Sequence, residues 1–232
     1  MQATLANWRT APHNRWAFHH VRELVPSADI AHDPGAVRAL EARDSPGLVS
    51  QDFLEQTDTD GMAVLHRGRL VFERYGNGMT RETPHILMSV SKSMLGVLVA
   101  ELGLDTSRQV TQIIPELAAT AYRGATLRHL LDMRAGIAFD EDYLATSGAI
   151  IEYRKSTGWN PLGPGEAPSD LKSFFSSLKE SDGAHGGRFH YCSPNTDLLG
   201  WVIERATGRR YAELMSERVW KKIGAERSAY IT

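Results

Sequence analysis

The most constraining feature of this 232-residue chain is an apolar segment near its middle. Residues 85–104 read HILMSVSKSMLGVLVAELGL, and from residue 94 onward the apolar side chains cover nearly the whole circumference expected of a helix. Such a helix is buried on most sides, because exposed apolar surface costs free energy. Gly and Glu residues interrupt the segment, and it is too short to cross a membrane. We therefore predict a central helix surrounded by the rest of one large domain.

The composition is that of a globular protein with a small-molecule ligand. Apolar residues make up 42% of the chain, and 26 basic residues nearly balance 28 acidic ones. Without a broad charged field, neither nucleic acid nor a membrane is expected as a partner. Cys192 is the only cysteine, and the N-terminus shows no signal-peptide pattern, which favours a soluble cytoplasmic protein. The sequence leaves homodimer formation open.

The order of sequence patterns indicates an N-terminal extension followed by a hairpin and a helical body. Residues 1–58 mix aromatic, charged and proline residues and are predicted to wrap around the domain formed by residues 59–232. Residues 62–75 contain two apolar runs around Arg67 and Gly68, which predicts a β-hairpin. Helical patterns follow at about residues 108–118, 126–134, 169–180, 195–206 and 210–223, so the helical body covers residues 89–223. The Pro- and Gly-rich residues 158–169 are predicted to form a loop.

Ser89 and Lys92 form the leading candidate for a catalytic pair. A spacing of three residues on a helix places a hydroxyl and an amine on one face. Burial and a positive helix N-terminus favour the neutral amine that can take the serine proton. The chain contains three Ser-x-x-Lys matches, against about 0.4 expected by chance. Those at residues 169–172 and 176–179 lie on a polar helix face and are rejected. The alternative for Ser89 is that it only caps its helix.

A second pattern favours the catalytic interpretation. Residues 187–208 read GRFHYCSPNTDLLGWVIERATG and place Tyr191 on a tight turn before a strongly apolar helix. A tyrosine beside a lysine can pass a proton to a leaving amine, and the nearby hydroxyl of Ser193 can hold the lysine.

These residues together resemble the serine β-lactamase and DD-peptidase superfamily, in particular its class C and carboxylesterase branch. The phrases LMSVSKSMLG, ATLRHLLDMRAGI and FHYCSPNTDLLGWVIERATGRRYAEL carry the resemblance. PHNRWAF, FDEDY, GW at residues 158–159 and YCSPNTD are similar to the 6-aminohexanoate-dimer hydrolases within that branch. The likeness extends from about residue 12 to the end of the chain.

The resemblance implies a fold and a set of functional residues. The fold would be α+β and β-lactamase/DD-peptidase-like, with a helical subdomain and an α/β subdomain. Ser89 would be acylated, Lys92 would be its base, and Tyr191 would protonate the leaving group. Ser193 would support Lys92, where most of the superfamily has Asn. The resemblance also implies that Tyr143 binds the substrate amide and that Trp159 lies on a mobile loop over the ligand. Both residues also have plain structural readings, as a surface aromatic and a loop anchor.

One departure from the superfamily concerns the end of the chain. The third motif, Lys-Thr-Gly or His-x-Gly on a later strand, does not occur in this sequence. The C-terminal strands of the sheet are therefore expected to be missing from this chain. The leading function is a serine hydrolase that cleaves linear amides and short carboxylesters. The alternatives are a carboxylesterase or β-lactam-binding homologue, and a noncatalytic binding module or inactive fragment.

No metal or cofactor is expected from the sequence. None of the nine histidines lies in a His-Glu-x-x-His arrangement or at ligand spacing from a cysteine or carboxylate. The glycines form no phosphate-binding loop, and no Gly-x-Ser-x-Gly elbow is present. A thiol nucleophile at Cys192 is a remote alternative.

Overall fold

The computed structural model describes residues 2–232 and shows short strands beside a helical body. The helices are α1 (His13–Ala17), α2 (Gln51–Gln56), α3 (Val90–Glu101), α4 (Val110–Ile113), α5 (Leu127–Leu131), α6 (Ala149–Ser156), α7 (Leu171–Ser177), α8 (Ser193–Thr207), α9 (Tyr211–Met215) and α10 (Lys221–Ile223). The strands are β1 (Ala28–Ile30), β2 (Glu41–Ala42), β3 (Gly61–His66), β4 (Arg69–Tyr75) and β5 (Ala229–Ile231). A π-helical turn, Ser216–Trp220, joins α9 to α10, and 3-10 turns lie at Val21–Glu23, Pro34–Ala36 and Pro115–Leu117.

The predicted hairpin is confirmed as the antiparallel pair β3 and β4. Arg67 and Gly68 both have positive φ angles, of 51° and 77°, the conformation that matches a two-residue turn to the twist of the strands. Strand β4 buries Leu70, Val71 and Phe72. On its other edge β4 pairs in parallel with β2, so the sheet order is β2-β4-β3. The hairpin therefore has one short additional strand, which the sequence patterns did not indicate.

The N-terminal segment takes part in the second sheet. Strand β1 pairs antiparallel with β5, with Ala28 opposite Ile231 and Ile30 opposite Ala229. The predicted extension, residues 1–58, thus supplies one strand to each sheet, and its Met1 lies outside the described residues. The division of the chain at residue 58 stays a prediction.

Helix α8 lies at the centre of the helical body. Pro194 occupies its first turn, where a missing N–H costs nothing, and Gly208 ends it in the left-handed conformation. Leu198, Val202 and Ile203 on this helix are fully buried, and α8 contacts α3, α4, α5, α7 and α9. This packing fixes the start of α8, which carries Ser193, relative to the start of α3.

The prediction that the apolar helix is buried on most sides was wrong for α3. Leu95, Leu98 and Val99 are buried, whereas Val90 is 60% exposed and Val97 is 47% exposed. Helix α3 packs against α8 and the π-helical turn, and these neighbours cover only part of its circumference. Apolar periodicity reports the tendency of a face to be buried, but tertiary neighbours decide whether it is.

The other helical predictions hold in position but less well in length. The pattern at 108–118 is two short pieces, because Pro115 begins a new 3-10 turn after α4. Helix α6 was not predicted, since its eight residues give a short and weak pattern. Residues 158–169 form neither helix nor strand, as expected. Among the helices of residues 2–232, none has the length and apolar character needed to cross a membrane.

Candidate active site

Ser89 occupies the turn that begins α3. The preceding residue, Met88, has a φ angle of +47°. This left-handed conformation costs free energy for any residue that has a Cβ atom. Ser89 is exposed and its hydroxyl makes no capping hydrogen bond to the helix. The hydroxyl of Ser91, not that of Ser89, donates to the Met88 carbonyl, at 2.7 Å. The capping alternative for Ser89 therefore does not describe the structure, and its hydroxyl is left for another partner.

Tyr191 provides that partner, although it lies 102 residues away in the sequence. The Tyr191 hydroxyl donates to Ser89 Oγ at 2.8 Å. The Lys92 amine lies 5.9 Å from the centre of the Tyr191 ring. Lys92 is one turn after Ser89, and its backbone N–H donates to the Ser89 carbonyl at 3.1 Å. The structure thus brings together the three residues that the sequence put forward as a catalytic group.

Tyr191 is positioned by a loop that rests on residues 133–138. The N–H of His190 donates to the Met133 carbonyl, and that of Gly186 donates to the Arg134 carbonyl, both at 2.8 Å. The Arg134 guanidinium also donates to the carbonyl of Gly187 at 2.5 Å. These bonds fix the path of the chain immediately before Tyr191.

Glu141 is the centre of a second hydrogen-bonded group that the sequence reasoning missed. It accepts from the Ser193 N–H at 2.7 Å and from the Ser193 hydroxyl at 2.6 Å. It also accepts from the Tyr143 hydroxyl at 2.6 Å. Ser193 therefore donates its hydroxyl to Glu141, and no hydrogen bond within residues 2–232 joins it to Lys92, which differs from the contact that the resemblance implied. Glu141 lies in the phrase FDEDY, whose tyrosine alone was selected.

Tyr143 lies beside this group on the exposed side of the site. It is 57% exposed, and the centre of its ring is 6.0 Å from the Arg154 guanidinium. Partial burial, followed by the Glu141 carboxylate, raises the pKa of Tyr143 well above its usual range. The Tyr143 side chain therefore stays a neutral hydroxyl near the site at physiological pH.

Trp159 is anchored against the N-terminal segment. Its ring centre lies 4.4 Å from that of Trp8, and the Trp8 indole N–H donates to the Trp159 carbonyl at 3.2 Å. The Trp159 N–H donates to the carbonyl of Arg154 at the end of α6. This packing matches the loop-anchor reading, and a lid role for Trp159 stays a prediction.

Asp197 is a further acidic residue near Lys92 that was not selected from the sequence. It lies one helical turn after Ser193 on α8 and accepts a hydrogen bond from the Tyr153 hydroxyl. Burial raises the pKa of Asp197, while Tyr153 and the charge of Lys92 act in the opposite direction. Its presence in the phrase YCSPNTD, at i and i+4 from Ser193, is the signal that could have identified it.

A cavity of about 760 Å³ opens next to Lys92. Ser91, Lys92, Asp197 and Ile231 are among its lining residues. Ser89 and Tyr191 are not among its lining residues. The cavity therefore adjoins Lys92, the proposed base, and not Ser89, whose hydroxyl Lys92 would activate.

The other nucleophile candidates from the sequence are Cys192 and the two remaining Ser-x-x-Lys pairs. Cys192 is 1% exposed, and burial raises the pKa of its thiol to about 12, so it is a poor nucleophile. On α7, the Ser176 hydroxyl donates to the Lys172 carbonyl. Lys179 donates to the Ala119 carbonyl at 2.9 Å. Neither alternative Ser-x-x-Lys pair forms a hydrogen bond with Tyr191 in the described part of the chain.

Comparison with known proteins identifies the family. The helical body and its flanking sheets define a protein of the β-lactamase and DD-peptidase fold class, as the resemblance implied. The Beta-lactamase family model matches residues 38–231. The chain belongs to the beta-lactamase family.

Three relatives show which proteins of this family the chain is similar to. It is 38% identical, over its whole length, to 6-aminohexanoate-dimer hydrolase from Paenarthrobacter ureafaciens, of which it spans 60%. Over 73% of its length it is 28% identical to the D-aminopeptidase of Brucella anthropi, of which it covers 32%. A solved structure from Bacillus anthracis, provisionally described as a 6-aminohexanoate-dimer hydrolase, has a TM-score of 0.87 at 26% identity. That match covers 99% of this chain and 65% of the other, so the chain spans less than two thirds of each relative.

Proposed function

We propose that this protein is a serine hydrolase that cleaves linear amides, and also short carboxylesters, through an acyl-enzyme on Ser89. The observation that carries the proposal is the 2.8 Å hydrogen bond between Tyr191 and Ser89, with Lys92 one helical turn away. The 38% identity to a hydrolase named for the 6-aminohexanoate dimer favours a linear amide substrate.

The proposed reaction begins with transfer of the Ser89 hydroxyl proton to the neutral amine of Lys92, while Ser89 Oγ attacks the substrate carbonyl. Tyr191 gives its proton to the leaving nitrogen as the carbon–nitrogen bond breaks, and Lys92 then returns a proton to the Tyr191 oxygen. In deacylation a water attacks the ester of Ser89 and gives up a proton to Lys92 and Tyr191. These two groups then return a proton to the Ser89 oxygen, which regains its hydroxyl. Each proton taken is returned, so the cycle needs no cofactor.

The first experiment tests Ser89 as the nucleophile. The chain is incubated with p-nitrophenyl acetate and with the linear 6-aminohexanoate dimer, and its intact mass is followed for an acyl adduct. Ser89→Ala is expected to abolish the adduct and to lower turnover by about 10⁴-fold or more. Ser91→Ala is the matched control, because its hydroxyl is two residues away and already donates to the Met88 carbonyl. Unchanged turnover in Ser89→Ala would contradict the proposal, and so would saturable dimer binding without turnover in the unsubstituted chain.

The second experiment tests Tyr191 as the proton donor. The leaving amine of an amide must be protonated, whereas p-nitrophenolate leaves without a proton. Tyr191→Phe is therefore expected to lower amide cleavage by about 10²- to 10⁴-fold and ester cleavage much less. Tyr75→Phe serves as control, since that hydroxyl pairs with Glu73 on the hairpin. Equal losses on both substrates would argue against this role.

The same comparison of amide and ester substrates tests the role of Tyr143. We propose that its hydroxyl contacts the substrate amide nitrogen, since the side chain is exposed beside the Ser193 and Glu141 group. Tyr143→Phe is expected to lose amide cleavage while keeping ester cleavage. Equal activity of this variant and the unsubstituted chain on the dimer would rule the contact out.

A further inference from the structure

Three residues from separate segments form a compact group of potential metal ligands. His19 follows α1, Asp60 precedes β3, and His85 lies in the loop before Ser89. One ring nitrogen from each histidine and one carboxylate oxygen all lie within 4.8 Å of one another. His85 Nε2 is 2.9 Å from Asp60 Oδ2, and His19 Nε2 is 3.7 Å from the same oxygen. We refer to these three residues as the His–Asp–His cluster.

The strongest sign of a missing ligand is the ring of His19. This residue is only 7% exposed, and within residues 2–232 its Nε2 atom is buried without a hydrogen-bond partner. Its nearest carboxylate oxygen, Asp60 Oδ2, is too far at 3.7 Å for a hydrogen bond. A buried polar atom without a partner is rare in native proteins and calls for an explanation such as a bound ion. His19 therefore directs an unsatisfied nitrogen into the cluster.

The hydrogen bonds of His85 point to the same conclusion. Its Nδ1 lies 2.7 Å from the Ile86 carbonyl oxygen, which can only accept, so Nδ1 carries the hydrogen. In the neutral ring, Nε2 is then an acceptor, and it faces a second acceptor, Asp60 Oδ2, at 2.9 Å. Two acceptors at this distance need a cation or a proton between them. Histidine ligands commonly donate their other ring N–H to a backbone carbonyl in this way.

Asp60 is also oriented as a ligand. Its other oxygen, Oδ1, accepts from the Asn77 amide at 2.8 Å, which leaves Oδ2 directed toward the two histidines. Zinc binds imidazole nitrogen and carboxylate oxygen at about 2.0–2.2 Å in a tetrahedron, which separates its ligand atoms by about 3.3 Å. The two distances from Asp60 Oδ2, 2.9 and 3.7 Å, lie on either side of that value. The ligand nitrogens of the two histidines lie within 4.8 Å of each other, so these rings would move closer together around a bound ion.

We propose that the His–Asp–His cluster is a zinc site, with His19 Nε2, His85 Nε2 and Asp60 Oδ2 as protein ligands and a water as the fourth. The expectation of no metal site considered spacing along the sequence, and these ligands come from three segments that only the fold brings together. A zinc ion here would tie the N-terminal segment to the loop that leads into Ser89. The Ile86 N–H donates to the Phe18 carbonyl at 2.9 Å at the same junction. The proposed ion would therefore link two segments of the fold, and the site does not depend on the proposed hydrolase activity.

Zinc binding is tested on the chain after its metals have been removed with a chelator and the chelator dialysed away. Zinc chloride is titrated in competition with a chromophoric chelator, and one zinc per chain is expected. At a free zinc concentration one hundred times the Kd, the melting temperature is expected to rise by about 5–10 °C. Asp60→Asn and His85→Gln are each expected to weaken binding by about 100-fold or more. His66→Gln, on an exposed strand position, is the matched control and is expected to bind as the unsubstituted chain does.

Two further measurements keep the test decisive if a ligand variant fails to fold. Asn77→Ala leaves all three ligands in place and removes the bond that orients Asp60, so about 10- to 100-fold weaker binding is expected. It also removes the Asn77 hydrogen bonds with Arg15 and with the Asp58 carbonyl, neither of which involves a ligand residue. Cobalt(II) added to the unsubstituted chain is expected to give the visible absorption of a four-coordinate site, and zinc is expected to displace it. Absence of stoichiometric zinc uptake would overturn the proposal. Equal zinc affinity in Asn77→Ala, Asp60→Asn and the unsubstituted chain would also overturn it.

Discussion

Gly136 lies where two backbone segments approach more closely than any other residue would allow. Its φ angle is +62°, and a Cβ built on it would lie 2.4 Å from the Gly183 carbonyl oxygen. The approach is fixed by hydrogen bonds on both sides, from the Asp182 N–H to the Gly136 carbonyl and from the Ala138 N–H to the Glu180 carbonyl. Gly136→Ala would therefore force these segments apart.

The cost of this substitution has two parts that a control can separate. The left-handed backbone conformation costs about 1–2 kcal/mol for a residue with a Cβ. Overpacking against the backbone adds about 1–3 kcal/mol. Gly165 has a φ angle of +76° and nothing within 4 Å of its ideal Cβ, so Gly165→Ala carries only the first part. With about 2–4 °C per kcal/mol for a chain of this size, an overpacking cost near 2 kcal/mol would make Gly136→Ala melt about 4–8 °C below Gly165→Ala.

The assay is thermal unfolding followed by circular dichroism for both variants and the unsubstituted chain. Residues 133–138 also support the loop before Tyr191, so Gly136→Ala is expected to lower the hydrolysis of p-nitrophenyl acetate at temperatures where it is still folded. Equal melting temperatures for the two variants would refute the close approach at Gly183. A large loss of stability in Gly165→Ala alone would refute the separation of the two costs.

Three further predictions concern the surroundings of the site. Glu141→Gln leaves one acceptor oxygen for the three donors from Ser193 and Tyr143. A loss of about 1 kcal/mol in unfolding free energy, and a melting temperature lower by about 2–4 °C, are expected. An unchanged melting curve would contradict the hydrogen bonds assigned to Glu141. Cys192 is expected to resist a thiol reagent such as dithiobisnitrobenzoate in the folded chain, because its thiol is buried and burial raises its pKa to about 12. It is expected to react fully in denaturant. Rapid reaction in the native state would show that the thiol is accessible. Burial raises the pKa of Asp197 above its unfolded value of 3.8, so its contribution to stability is fully present below that value and is lost as the pH rises through the folded pKa. Asp197→Asn keeps an acceptor for Tyr153 and is therefore expected to melt above the unsubstituted chain at pH 7, with the difference disappearing below pH 3.8; a constant difference across this range would show that ionisation of Asp197 does not matter.

Several parts of the structure are determined by short stretches of sequence. The hairpin follows from two apolar runs around Arg67 and Gly68, whose positive φ angles suit the turn. The loop at 158–169 follows from its prolines and glycines, and α8 begins and ends at Pro194 and Gly208. Ser89 and Lys92 could be paired because a helix repeats about every 3.6 residues. In each case the interactions that decide the conformation are local.

The remaining features depend on contacts between distant segments, and only the tertiary structure decided them. The exposed face of α3, with Val90 and Val97, depends on which neighbours pack against it. Glu141 reaches Ser193 across 52 residues, and the His–Asp–His cluster joins three separate segments. The sequence by itself determined the candidate nucleophile, its lysine and the tyrosine, since each belongs to a recognisable local pattern. Packing decided where these three residues meet, which group binds Ser193, and that the two histidines and Asp60 form a cluster. Hydrogen bonds and charge interactions depend on the distance between atoms in space and not on their separation in the sequence.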